Sequence, residues 1–352
     1  MITLLIPTIN RSDFLVRQLN YYKDVGFQGN ICIGDSSDAR HIEPTKRAIE
    51  VLRDSFNITY REYPGLNDAE VVRRLIEFVV TPYAAFVADD DFLIPNAMEQ
   101  CFLFLEEHQD YNAAHGQSLT VSLKSGEPYG QIAGARHYRL PILEEESASQ
   151  RILCHFSDYS VTLFSVHRTE SWREMYKDVH LIPDRTFAGE LLPCCLSVIQ
   201  GKIKELDCLY LVRHDHSQRY LLPGPREWIS NPDWLSMYQI FCDILAKELA
   251  NKDCISMDKA QETVEQSFDL YMENLLGNEW RSYCGRTSVS PVDRLRRVAR
   301  MIPGARLLWR ALHFSYPERR FEIPLAELLD ESSTYYSEFT AVHRTLTEVP
   351  AD

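Results

Sequence analysis

The run Ala84-Ala85-Phe86-Val87-Ala88, followed at once by Asp89-Asp90-Asp91, constrains this chain more than any other stretch. Five small or apolar residues in succession read as a strand covered on both faces, because a half-exposed strand alternates polar and apolar positions. Three adjacent carboxylates raise one another's pKa unless a cation neutralises them. A single Asp here would be an ordinary turn or N-cap residue ahead of the helix that Pro95 opens. Three exceed what a cap needs and mark a candidate site for a hard cation, Mg²⁺ or Mn²⁺.

The same rhythm fills the first ~115 residues. Ile2 to Ile6 is an apolar strand ending at Pro7-Thr8, and Ser12 reads as the cap of a helix carrying Phe14, Leu15, Leu19 and Tyr22, closed by Gly26. Asn30 to Gly34 is a second buried strand that stops at Asp35-Ser36-Ser37-Asp38. A helix with Val51 and Leu52, the strand Ile58 to Tyr60, the break Pro64-Gly65 and a helix through Val71, Val72 and Leu75 follow. Apolar strands separated by amphipathic helices imply a mixed α/β sheet with helices on both faces. Ligands of such sheets bind at the carboxyl ends of the strands, which here read Pro7-Thr8, Asp35 and Asp89-Asp90-Asp91. Residues 116 to about 160 are less regular. Ser160 to Val166 is expected to resume the sheet, and a helix from Phe187 to Gln200 precedes a strand, Ile203 to Val212, that empties into Arg213-His214-Asp215-His216. From Asn231 to about Leu276 the pattern is helical.

At 352 residues and 45% apolar content the chain exceeds one typical domain. The expected division is a catalytic domain over 1–225 and a mainly α-helical region over 226–352. A net charge of −14 argues against nucleic acid as a partner. Nine cysteines without a CxxC pair fit buried thiols of a reducing compartment. Met1 to Pro7 is too short for a signal peptide, and no run approaches the ~20 apolar residues of a spanning helix, so the expectation is a cytoplasmic protein.

Three motifs in order carry a family resemblance: Thr3-Leu4-Leu5-Ile6-Pro7-Thr8-Ile9-Asn10-Arg11, Ile31-Cys32-Ile33-Gly34-Asp35, and Phe86-Val87-Ala88-Asp89-Asp90-Asp91 with Pro95. Together they resemble glycosyltransferase family 2, over about residues 1 to 110, with a weaker echo from 184 to 216. The resemblance implies the GT-A nucleotide-sugar-binding fold. It also implies that Pro7, Thr8 and Arg11 line the nucleotide pocket and that Asp35 faces the base. Asp89 and Asp90 would then meet ribose and metal, and Asp91 would be a main metal ligand. The family's commoner pattern has its first aspartate where this chain has Ala88, which leaves open which of the three meets the metal.

Inverting members need a carboxylate base at the start of a helix past mid-domain, and the matching stretch is Asp184-Arg185-Thr186-Phe187-Ala188-Gly189-Glu190. Glu190 is the choice and Asp184 the fallback; either competes with a plain first-turn acid. His214 and His216, two apart on an extended chain, share a side. They resemble the further metal ligand or diphosphate contact of GT-A enzymes, with Arg213 and Arg219 at hand for the leaving diphosphate. The Gly65-Leu66-Asn67-Asp68 turn offers backbone N–H groups, and Asp68, to a nucleotide phosphate. Tyr220, Trp228 and Trp234 offer flat faces for an acceptor sugar, although such aromatics more often sit in a core.

Between Pro291 and Arg320 lie eight arginines against Asp293 and Glu318. With Val292, Leu295, Val298, Met301, Ile302 and Trp309, the segment 291–320 reads either as an interfacial helix for an anionic membrane or as a helix packed on the catalytic domain. The expectation is a metal-dependent transferase moving a sugar, UDP-linked by preference, from a nucleotide-sugar donor to a glycan or lipid-linked acceptor, with inversion. The rivals are a sugar-phosphate nucleotidyltransferase, which usually carries a glycine-rich loop absent after β-like Ile2–Ile6, and an inactive GT-A domain that binds glycans or partners.

Overall fold

The structure, a computed structural model, describes residues 1–124, 127–219, 221–283 and 322–349. The basic segment 291–320 and Tyr220 therefore lie outside the described residues.

The strands are β1 (Ile2–Thr8), β2 (Asn30–Asp35), β3 (Asn57–Glu62), β4 (Tyr83–Phe86), β5 (Phe92–Leu93), β6 (Tyr111–Leu123), β7 (Ile132–Tyr138), β8 (Val166–Arg168), β9 (Lys202–Asp215) and β10 (Glu322–Ile323). The helices are α1 (Ser12–Asp24), α2 (Ala39–Leu52), α3 (Asp68–Leu75), α4 (Pro95–Glu107), α5 (Ala148–Ser157), α6 (Thr169–Tyr176), α7 (Leu192–Gln200), α8 (Pro225–Ile229), α9 (Trp234–Asp253), α10 (Met257–Leu276), α11 (Asn278–Tyr283), α12 (Leu325–Leu328) and α13 (Tyr336–Thr347). One sheet runs β10-β7-β6-β8-β4-β1-β2-β3, with β9 paired to β6 and β5. Strands β3, β2, β1 and β4 are parallel, and β9 is parallel to β6.

Successive residues of the central strands feed two apolar cores, as period-two geometry requires. Leu5, Cys32 and Ala84 join a core built on α3, α5, α6, α7, α9 and α10. Leu4, Ile6, Ile31, Ile33, Tyr83 and Ala85 join one built on α1, α4 and α13. The late helices thus close both layers: Phe241 and Phe268 pack with Phe187, and Phe339, Val342 and Leu346 pack with Leu15 and Tyr21.

Three local expectations are corrected. Ser12 is the first residue of α1 and makes no capping bond; its hydroxyl meets His41 Nδ1 at 3.0 Å. Residues 160–165 are not strand: Ser165 N–H closes a turn onto the Thr162 carbonyl, and only Val166–Arg168 pairs with β4. The irregular stretch after residue 116 holds most of β6 and all of β7. Its polar residues hid a buried strand because the sheet satisfies them: His115 bonds the Gly116 and Pro141 carbonyls. Gly116 is required there, since a Cβ would stand 2.3 Å from the Cys208 carbonyl oxygen of β9.

Candidate active site

The parallel register sets Thr8 beside Asp35, and the turn after β4 brings the three aspartates under both. All three are buried, at 0%, 5% and 1% exposed, so each carboxylate must find its partners inside the protein. Asp89 accepts from the Thr8 hydroxyl at 2.6 Å and pairs with Arg11 at 2.6 Å. Asp90 accepts from Arg11 at 2.9 Å and from His216 Nε2 at 2.6 Å. Asp91 accepts from Arg213 Nε at 2.9 Å and from the His214 N–H at 3.0 Å.

Burial pushes Asp89 and Asp91 above the usual carboxylate range, against the pull of Arg11 and Arg213 respectively. Burial would do the same to Asp90, but the His216 hydrogen bond and the Arg11 charge hold it below that range. Beneath the turn, α1 supplies two residues that sequence reasoning missed. Arg17, 0% exposed and flanked by Phe14 and Phe92, donates to the Asp90 carbonyl at 2.8 Å. Gln18 donates to the Ala88 and Asp91 carbonyls, both at 2.6 Å. No periodicity announces a charged residue on a buried helix face, so only the shared stripe with Phe14 and Leu15 hinted at them.

The expected metal centre is not assembled in this arrangement. Asp91 commits both carboxylate oxygens, Asp89 commits Oδ2 to Thr8 while its Oδ1 meets only the Arg11 guanidinium as an ion pair, and His216 commits Nε2 to Asp90 and Nδ1 to the Gln218 N–H at 3.2 Å. Buried Asp89 Oδ1, Asp90 Oδ1 and His214 Nε2 are left without a hydrogen-bond partner, and Mg²⁺ or Mn²⁺ held by one or two such carboxylates would draw its remaining ligands from waters and substrate phosphates. Among the described residues no three His, Cys, Asp or Glu side chains converge on a metal position. Arg11 and Arg213 do the neutralising that was expected of a cation. The two histidines do share a side, with ring centroids 5.0 Å apart, and His216 stacks on Phe14 at 4.4 Å. Burial, with Arg17 and His216 nearby, pushes His214 down to about 3.

Asp35 is 1% exposed and accepts from the Ser37 N–H and the Tyr60 hydroxyl, both at 2.8 Å. Pro7 lies opposite Gly34 in the β1–β2 register. Asp68 forms a two-pronged pair with Arg185 at 2.9 and 2.7 Å, which ties α3 to the segment before Glu190. Asn67 caps α3, its side-chain oxygen accepting from the Glu70 N–H at 3.0 Å.

Glu190 lies on a π-helical turn, Thr186–Leu191, that runs into α7. Such turns are rare and cluster at functional sites. Its carboxylate accepts from the Tyr159 hydroxyl at 3.1 Å, and burial raises its pKa. Its charge acts on Arg213 and Tyr138. Asp184 is turned the other way. Its Oδ1 takes the Phe187 N–H at 2.9 Å and the Trp228 indole N–H at 3.0 Å, so it clamps the turn to α8. Trp228 and Trp234, 3% and 1% exposed, belong to the core and offer no face to a sugar.

No family model matches the chain, and no curated protein does. Solved structures do resemble it. S. aureus TarS 1-349 in complex with UDP-GlcNAc aligns with a TM-score of 0.51 at 13% identity, over 77% of this chain and 72% of that one. TarS 1-349 alone aligns at 0.50 and 13% identity, over 83% and 76%. Against the longer S. aureus TarS chain, this protein spans 44% of the length. The mannosyltransferase PcManGT from Pyrobaculum calidifontis, in complex with GDP-Man and Mn²⁺, aligns at 0.42 and 10% identity, over 98% and 84%. The likeness establishes a GT-A fold, a mixed sheet flanked by helices with a helical C-terminal region.

Proposed function

We propose that this protein is a glycosyltransferase that moves a sugar from a nucleotide donor, UDP-linked by preference, to a glycan or lipid-linked acceptor with inversion. One observation carries the reading: Glu190 sits half-buried on a π-helical turn and its charge acts on Arg213, the partner of Asp91. A TarS relative of the same fold holds UDP-GlcNAc, which supports a nucleotide sugar as the donor.

In this reading Thr8, Arg11 and Asp35 hold the nucleotide on the β1–β2 side. Pro7 and Asp68 border the same pocket. Asp89 and Asp90 meet the ribose end through the network they already form with Thr8 and Arg11. Glu190, its proton affinity raised by burial, takes the proton of the acceptor hydroxyl as that oxygen attacks the anomeric carbon from the face opposite the nucleotide. The leaving diphosphate gains negative charge, which the Arg11 and Arg213 guanidiniums stabilise. Asp184 holds the turn that aims Glu190. The segment 291–320 would bring the chain to an anionic leaflet where a lipid-linked acceptor resides. No helix among the described residues is long and apolar enough to cross a membrane.

Calorimetry with UDP, GDP, CDP and dTDP, with and without Mn²⁺, tests the reading, followed by turnover of the matching nucleotide sugar in native protein and Glu190→Gln. One nucleotide bound and turnover lost in the variant supports it. No nucleotide bound under either condition would sink it in favour of a glycan- or partner-binding role.

A further inference from the structure

Tyr159 follows α5 and stands half-buried beside the π-helical turn that carries Glu190. Its hydroxyl donates to Glu190 Oε1 at 3.1 Å. Chemistry fixes the direction of that bond. An ionised carboxylate has no proton to give, and burial lifts the phenol well above its ordinary 10, so the phenol keeps its proton. The Cys194 sulfur also lies within reach of the same hydroxyl. The carboxylate is the stronger acceptor, because a hydrogen bond to an ionised group is roughly twice as strong as one between neutral groups.

The phenol is held from three directions. His155 of α5 packs against its ring with centroids 4.9 Å apart, and Tyr271 of α10 meets it edge-on at 5.1 Å. Burial pushes His155 down to about 3, with the Arg139 charge adding to the shift, so near neutral pH it is an uncharged ring that acts by packing. Arg139, just past β7, pairs with the Asp158 carboxylate and donates to the Asp158 carbonyl at 2.6 Å and the Tyr159 carbonyl at 3.4 Å. These contacts come from α5, α10 and the end of β7, so the tyrosine is anchored independently of the turn that bears Glu190. An anchored donor gives up little rotamer freedom when it bonds, and it fixes the geometry of its acceptor.

The bond engages Oε1 and leaves Oε2 for another partner. The charged groups acting on Glu190 are Arg185 and Arg213, which favour its ionised form, and Asp68, which opposes it. Tyr138, Tyr176, Tyr271 and Cys194 complete its titratable surroundings, and burial raises each of them, so they stay neutral where a carboxylate titrates.

We infer that Tyr159 is a positioning residue for the base, its hydroxyl fixing Glu190 by Oε1 so that Oε2 takes the proton of the acceptor. The inference deepens the transferase reading and rests on it for the word base. A hydrogen bond donated to the ionised form favours ionisation, so Tyr159 also works against the burial that raises Glu190. The same phenol therefore orients the carboxylate and keeps it ionised at a lower pH than burial alone would allow.

The test compares the native full chain with Tyr159→Phe, which removes only the hydroxyl, and with a difluorotyrosine placed at position 159, which keeps the ring and donates more strongly. Infrared titration follows the carbonyl band of the protonated Glu190 carboxyl, assigned by its loss in Glu190→Gln. Turnover against pH, with the nucleotide sugar matched to the bound nucleotide, gives the acid limb, and thermal unfolding confirms that each protein folds. Tyr159→Phe should move both midpoints up by about one pH unit, the size of one lost hydrogen bond to a charged group. Its plateau kcat should fall about ten-fold, with donor KM unchanged, as the carboxylate loses its orientation. The fluorinated protein should move both midpoints down. A merely structural tyrosine would lower stability and leave the midpoints in place, so unchanged midpoints in both proteins would overturn the inference. If Glu190→Gln turns over as fast as native protein, the base reading fails by itself, and the infrared titration still decides whether Tyr159 governs the carboxylate.

Discussion

The two sides of the triple aspartate are built on opposite electrostatic plans. Toward β1 and β2, Asp35 and Asp89 take hydrogen bonds from Thr8, Ser37 and Tyr60, and Asp89 Oδ1 meets the Arg11 guanidinium. Toward β6, β7 and β9, Arg136 and Arg219 share the Asp215 carboxylate and Arg213 pairs with Asp91, with the Glu190 charge acting on Arg213 as well. Asp90 and Asp91 stand between, tied to Arg11 on one hand and Arg213 on the other. The contrast teaches that like charges packed at one strand end do not by themselves identify a metal site. Guanidiniums delivered from distant elements also pair with them.

The largest effect should come from the base. Glu190→Gln is expected to lower kcat about 10²–10⁴-fold while nucleotide affinity changes less than two-fold, measured by steady-state turnover and calorimetry. The pH profile sharpens the assignment. Burial raises Glu190 above its ordinary 4.5, and the base works only when ionised, so activity should climb with pH through a midpoint above 4.5. That acid limb should vanish from the residual activity of the variant; if it survives unchanged, another group is the base.

Next in size is the divide itself. Asp91→Ala strands the Arg213 guanidinium, 22% exposed, without its carboxylate, and should cost about 3–5 kcal/mol in urea unfolding. A loss under 1 kcal/mol would mean that Arg213 finds another partner and that the two sides are less separate than drawn.

On the β1–β2 side, Asp35→Asn turns an acceptor of two hydrogen bonds into a group whose NH₂ opposes Ser37 N–H or Tyr60 O–H. The expected outcome is nucleotide binding weakened about ten-fold, within the ~1–3 kcal/mol of an unmatched buried donor. The smallest effect belongs to the clamp: Trp228→Phe keeps the packing on Phe187 but removes the indole donor to Asp184, which should lower stability by about 1 kcal/mol in thermal unfolding.

Much of the half built on β1, β2 and β4 was legible in sequence. Ile2–Thr8, Asn30–Asp35 and the strand into Asp89 announce themselves because covered parallel strands must be apolar throughout and their polar ends must converge. Glu190 stands out in sequence as an acid opening an apolar helix, although the π-helical turn it lies on does not. β6 and β7 were not legible, because buried polar residues such as His115 are satisfied only once β9 and the Pro141 segment are in place. Arg136 and Arg219 gave no signal for the same reason, since they share Asp215 only in the folded sheet.

The sequence by itself determined the alternating α/β order, the strand ends at which polar residues gather and the excess of carboxylate at one of them. Those follow from local periodicity and adjacency, which a linear string carries in full. Only the tertiary structure decided what balances that charge. Arg11, Arg17, Arg213 and His216 reach the aspartates from 73 to 126 residues away in the chain, and long-range electrostatic pairing leaves no periodic trace.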